Sequence, residues 1–416
     1  MSALSHRDEP VALPANRRLL VSHAGLKRGT LWLLGASSGF ALIEPSPYEI
    51  VFLLTMFVFA LTGLRLSQRL LPMALLLLLY NIGGVIALIP WMDEPPSVRF
   101  TAVSVYLMIT AIFLAAIMAE DAVARIETLI RGCFIAAWCA SIAGILGYFD
   151  VAGLGSVFTL NNRASGTFKD PNVLGPYLVV PLVFVLQHVL IGRHGLLKGV
   201  MMMSVPLVAL LLTFSRGAWA NFAASAALMV LLTFLTAPNA SRRARIIGLT
   251  LVAALLMVMA LLVALSFEQI RSVFEIRASL SQSYDIGETG RFGNQLRSIP
   301  MLLELPNGFG PLRFSFHFVE DPHNVYINAF ASYGWIGGFA WLGVTAATCY
   351  VGWRLVFQRT PWQTHAVALW SVLFVTILQG LQIDTDHWRH FYLLLGLIWG
   401  LAALSPPGRP AQREPL

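Results

Sequence analysis

Three arginines or lysines and one histidine carry most of the chemistry this sequence offers. Arg216 stands in Ser215-Arg216-Gly217-Ala218-Trp219, a hairpin between two apolar runs that is too short to hold much else. Arg291 follows Gly290 inside a long polar interruption, residues 267–323. His323 ends that interruption in Asp321-Pro322-His323-Asn324, where the chain re-enters an apolar run. Lys169 sits in Gly166-Thr167-Phe168-Lys169-Asp170-Pro171-Asn172, at the mouth of another run. A guanidinium offers a planar fork of donors suited to phosphate oxygens, and an imidazole at a membrane edge takes or orients a proton near neutral pH. Together these types fit an anionic-substrate site. Each also has a plainer reading: Arg216 snorkelling to the interface, Arg291 a solvated loop charge, His323 an exposed histidine, and Asn172 the cap of a helix.

The elements that must position these groups are membrane spans. Of 416 residues, 57% are apolar and 12% charged, where soluble domains carry about 25% charged residues. Apolar runs near ~20 residues span the hydrocarbon layer, and in lipid such runs must be helices. The pattern predicts an all-α polytopic bundle of about twelve transmembrane helices. Their approximate limits are 29–43, 48–64, 72–91, 100–119, 129–149, 173–192, 197–214, 217–236, 246–266, 324–353, 363–381 and 389–405. The domain organisation expected is a tail over 1–28, one membrane domain over 29–405 that includes the loop 267–323 between helices nine and ten, and a tail over 406–416.

Charge distribution sets the expected orientation. With the N-terminus inside, inner segments hold 18 of the 28 Lys and Arg but only six of the 21 Asp and Glu, as the positive-inside rule requires. Both termini are then cytoplasmic, and the four candidate groups share the outer face. The net charge of +7 is read as a topology signal, with no nucleic-acid partner. In the long loop, Phe267, Ile270, Val273, Phe274 and Leu280 recur at helical spacing and predict an amphipathic surface helix. Pro300 and Pro306-Asn307-Gly308 are expected to break the remainder of the loop into short pieces. Cys133, Cys139 and Cys349 fall in apolar runs and read as small hydrophobes. Asp384-Thr385-Asp386-His387-Trp388-Arg389-His390 has metal-ligand residue types without a defined geometry, and no metal or other cofactor is inferred. Phosphate-loop, zinc-protease and serine-elbow motifs are absent from the sequence.

The order of these motifs carries a resemblance. Ser215-Arg216-Gly217-Ala218-Trp219 is followed by Gly290-Arg291, Pro306-Asn307-Gly308-Phe309-Gly310, Asp321-Pro322-His323-Asn324 and Tyr333-Gly334-Trp335-Ile336-Gly337-Gly338. This series resembles the O-antigen ligase and polymerase family of bacterial inner-membrane glycosyltransferases, over roughly residues 160–350. The resemblance implies transfer of a glycan from undecaprenyl diphosphate to an acceptor hydroxyl at the periplasmic face, without a metal. The acceptor is lipid A core for a ligase and another repeat unit for a polymerase, and both remain open. It assigns the diphosphate to Arg216 and Arg291, with Lys169 adding to the cluster. Acceptor activation or orientation falls to His323, with Asn324 and Asn172 beside it. The chain departs from the family in having Phe292-Gly293-Asn294 where a tryptophan is expected. A transporter or flippase of lipid-linked oligosaccharide is the other class considered. It is disfavoured because no Asp, Glu, Lys or Arg stands at the centre of an expected span, and polar side chains within the spans, Asn81 and His188 among them, are few.

Overall fold

Apolar stretches with no water to bond their amides close those bonds internally, and helices result. In a computed structural model the regular structure of the described residues is helical apart from one short hairpin. The structure describes residues 22–278, 287, 290–318 and 320–405. In chain order the helices are α1 (His23–Ser37), α2 (Pro47–Leu61), α3 (Leu71–Leu88), α4 (Pro95–Ile117), α5 (Ala122–Tyr148) and α6 (Gly155–Phe158). The hairpin β1 (Thr159–Leu160) and β2 (Arg163–Ala164) precedes α7 (Pro171–Leu190), α8 (Leu196–Leu212), α9 (Arg216–Leu235), α10 (Ala240–Leu265) and α11 (Glu268–Ala278). Then come α12 (Arg291–Glu304), α13 (Phe314–His317), α14 (Val325–Val356), α15 (Gln363–Gln379) and α16 (Arg389–Leu404).

A helix stands at each stretch expected to span, but among the described residues six segments are both long and apolar enough to cross a membrane: 68–91, α4, α5, α7, α9 and α10. Helices α2, α8, α15 and α16 are apolar and shorter. Several limits differ from those expected. Helix α5 starts at Ala122 rather than near 129, so Arg125, Glu127 and Arg131 lie in its first turns. The long tenth stretch is accommodated by a break: Gly334 has φ 63° inside α14. A side chain there would meet the Pro306 carbonyl at 2.5 Å, and the next amide, Trp335 N, donates to that same oxygen at 2.8 Å. Two motifs far apart in sequence thus interlock.

Two expectations for the long loop need correcting. The amphipathic helix exists as α11, but Ile270, Val273 and Phe274 pack on Phe214, Ile145 and Trp219 of the bundle rather than on a lipid surface. Leu280 lies outside the described residues. Nor does Pro300 break the chain, because α12 continues through it to Glu304. Proline removes one hydrogen bond of the helix, and the polar face of α12, packed on the protein, holds the helix together across that gap.

The interior is built around α7, α15 and α16, whose side chains are buried along nearly their full length. Close crossings use small residues: a side chain on Gly35 of α1 would stand 2.2 Å from the Leu129 carbonyl of α5. By contrast, α10 buries only Ile246. Its exposed leucines, valines and methionines are what a lipid-facing helix shows.

Charges gather at the two ends of the bundle. At one end Lys27 and Arg125 bind Glu120, and Arg193 binds Glu127 at 3.1 Å. At the other, Lys169 binds Glu44 at 2.8 Å, Arg389 binds Glu49, and Arg313 binds Glu94.

Candidate functional site

Among the helix N-termini that the second end collects, those of α7, α9, α12 and α14 meet around the candidate residues. Their junctions are specific. Asp170 caps α7, its side chain accepting from Asn172 N at 2.7 Å. Ser215 caps α9, accepting from Ala218 N at 3.3 Å after Phe214 turns left-handed at φ 46°. Arg163, on β2, ties these two ends together. Its Nε donates to the Thr213 carbonyl and its Nη2 to Asn172 Oδ1, both at 2.7 Å. Asn172 is therefore not the cap of α7, as its sequence position suggested, but the acceptor for an arginine that carries no motif of its own. The local signal was Asn161-Asn162, both with positive φ, a pair that favours a tight hairpin turn.

Arg216 is the first residue of α9 and Arg291 the first of α12. The start of α9 abuts the end of α15: Asn221 Nδ2 donates to Gln379 Oε1 at 2.5 Å. That same end of α15 holds the His323 turn, since Val325 N donates to the Gly380 carbonyl at 2.8 Å. Unsatisfied amides and the helix dipole make such ends attractive to anions.

His323 has φ 44°, an uncommon conformation for a residue with a side chain. It is held from three directions. Gln295 of α12 donates to the Pro322 carbonyl at 2.7 Å. Asp384 accepts from the His323 amide and, at 3.1 Å, from Asn324 N. Asn324 in turn caps α14, accepting from Tyr326 N at 3.1 Å. Burial, and then the positive charge of Arg291, hold the His323 imidazole below its ordinary value near 6.5. Arg291 is thus close enough to His323 to be felt electrostatically.

Beside this turn lies a cavity of about 320 Å³, walled by Lys169, Asp170, Asp321, Pro322, Asp384 and Asp386 among others. Arg216, Arg291 and His323 stand outside its wall. Lys169 reaches it already paired with Glu44. The wall is largely apolar, with aromatic rings of Phe100, Phe168, Phe314 and Trp388, and its carboxylates outnumber its cations Lys169 and Arg389, a mixture that suits a sugar's faces and hydroxyls. Asp386 is buried and accepts from the Tyr80 hydroxyl at 3.1 Å, and His387 Nδ1 stands 3.2 Å away. Burial opposes charge on His387, but the Asp386 carboxylate and the Phe100 carbonyl, 3.1 Å from Nε2, together raise its pKa.

Asp384, Asp386, His387 and Arg389 of the Asp/His loop thus each have a specific structural partner, and among the described residues no three His, Cys, Asp or Glu groups are placed to share an ion. Asp384 is the site residue to which sequence reasoning gave no role, because its partners are backbone amides some 60 positions away. Arg313, one of the loop arginines, is a buried brace: it binds Glu94 and covers the Trp91 ring at 3.8 Å.

The lowered His323 pKa gives a pH test. If the neutral imidazole is required, transfer is full above the folded-state pKa and lost as pH falls through it, so the acid limb lies below about 6.5. Asp321 raises that pKa and Arg291 lowers it. The limb should therefore move to lower pH in Asp321→Asn and to higher pH in the residual activity of Arg291→Gln. A pH–rate profile with an unmoved limb in both would detach it from His323.

No curated protein matches the chain. Residues 199–342 match the family model described as O-antigen ligase, a stretch that runs from α8 into the second half of α14 and includes Arg216, Arg291, His323 and Asn324. The order of motifs and this match agree: residues 199–342, which hold Arg216, Arg291 and His323 but not Lys169, Asn172 or Asp384, are similar to the O-antigen ligase family.

Proposed function

We propose that the protein is a membrane glycosyltransferase that moves a glycan from undecaprenyl diphosphate to an acceptor hydroxyl. It works at the periplasmic face of the bacterial inner membrane, with both termini cytoplasmic and twelve spans. It acts either as an O-antigen ligase on lipid A core or as a polymerase of O-antigen or exopolysaccharide repeat units. The observation that carries this reading is the meeting of four helix N-termini, two of them headed by Arg216 and Arg291, beside a histidine biased toward its neutral form.

In this reading the acceptor sugar occupies that cavity, its hydroxyls donating to the Asp321 and Asp386 carboxylates and its faces against the aromatic rings of the wall. His323 receives the proton of the attacking hydroxyl as that oxygen bonds the anomeric carbon. The bond from anomeric carbon to phosphate oxygen breaks, and undecaprenyl diphosphate departs with the electron pair. Arg216, Arg291 and the helix ends meet the growing charge on the diphosphate, with Lys169 at the rim. Preorganised donors of this kind commonly lower a barrier by several kcal/mol.

The test is purified protein in vesicles with undecaprenyl-diphosphate glycan and either acceptor, in the presence of a chelator. Glycan joined to lipid A core marks a ligase, and lengthened carrier-linked chains mark a polymerase. Donor that crosses the vesicle membrane without transfer to either acceptor would establish the transporter class instead.

A further inference from the structure

Helix α12 is amphipathic in the opposite sense from a water-surface helix. At about 100° per residue, its residues divide into three faces. Arg291, Asn294, Gln295, Ser298 and Leu302 form one, and all but Arg291, which is half-buried, are buried against the protein. Arg297 and Glu304 lie on a second, which is exposed. Phe292, Leu296, Ile299 and Leu303 form a third, and these are 51, 70, 42 and 67% exposed. A helix in water would not place its polar side chains inward and a row of four large apolar ones outward. A helix lying in a membrane interface would do so.

The neighbours supply the occupant. Trp335 Nε1 donates to the Leu302 carbonyl at 2.8 Å, which fastens the end of α12 to α14 just past its break. At that point Trp335, Ile336 and Phe339 of α14 are themselves exposed, as on a lipid-facing span. The apolar row of α12 thus adjoins surface that the membrane already covers.

We propose that α12 lies in the leaflet on the site's side of the membrane, with Phe292, Leu296, Ile299 and Leu303 among the acyl chains, so that the depth of the helix sets the depth of Arg291. Arg291 heads this helix on its protein-facing side and is thereby held at the level of lipid phosphates. The second half of the inference rests on the reading of Arg291 as a diphosphate ligand. The first half, immersion, does not.

The experiment places a nitroxide at Leu296→Cys, Leu303→Cys or Glu304→Cys. It uses the full chain in phosphatidylethanolamine–phosphatidylglycerol nanodiscs, with Cys133, Cys139 and Cys349 replaced by serine. Labels at 296 and 303 are expected to relax several-fold more with oxygen than with a water-soluble nickel chelate, and the label at 304 the reverse. Greater relaxation by the chelate at all three positions overturns immersion. So do labels at 296 and 303 shielded from both reagents, with spin–spin broadening, because a second copy then covers the row. For depth, Leu296→Glu is expected to raise the KM for the lipid-linked donor about tenfold with kcat nearly unchanged, and an unchanged KM removes the depth-setting role. If the wild-type protein transfers no glycan while the labels report lipid, the enzymatic reading fails and immersion stands.

Discussion

Alanine at Arg291 is expected to cut glycan transfer by roughly 100- to 1,000-fold, the loss typical when one preorganised donor to a developing oxyanion is removed. Lysine there should recover part of the rate, because it keeps the charge and loses the planar fork. The comparison isolates chemistry from folding. Helix α12 is anchored by Gln295 on the Pro322 carbonyl and by the Trp335 indole on the Leu302 carbonyl, bonds that do not involve the Arg291 side chain. His323→Ala should be as severe, since a general base commonly contributes roughly 10²- to 10⁴-fold. The measurement is initial transfer rate in vesicles at matched protein, with membrane insertion checked separately. A rate within a few-fold of wild type for both variants would remove the two residues from the reaction.

How far the sequence disclosed this arrangement depends on the range of the interaction concerned. Spans announced themselves through runs of Leu, Val, Ile and Phe, because in lipid a backbone of that composition has only the helix open to it. The residues Arg216, Arg291 and His323 were visible as polar exceptions in an apolar chain. Helix α12 was hidden because its apolar row faces outward and Pro300 lies within it, two signals that normally argue against a packed helix. Long-range partners were hidden for a different reason. Nothing near Arg163 in sequence reveals that it joins Thr213 to Asn172, and nothing near Asp384 reveals the amides it receives. The motif Tyr333-Gly334-Trp335 was recognised as a pattern, yet its physical cause, a carbonyl from the Pro306 turn pressed against a glycine, needed three dimensions.

Asp384 separates two roles that a simple deletion would confuse. Its carboxylate accepts from the His323 and Asn324 amides, while burial, and then the charges of Asp386 and Asp321, push its pKa well above the usual carboxylate range. An acceptor of that kind need not be charged, so Asp384→Asn, whose carbonyl oxygen can take the same amides, is expected to hold activity within a few-fold of wild type. Alanine leaves two part-buried amides unpaired, at no more than about 1–3 kcal/mol each. Part of that cost falls on a turn already holding His323 at φ 44°, a conformation that itself costs about 1–3 kcal/mol and lasts only while its surroundings enforce it. The turn relaxes, the imidazole leaves its place beside Arg291, and transfer is expected to fall roughly ten- to a hundredfold. Were Asp384 the proton acceptor instead, asparagine would be as inactive as alanine, because neither can bind the proton. Measuring kcat for both variants beside His323→Ala decides it: a working asparagine makes Asp384 the residue that shapes the turn and leaves the proton to His323.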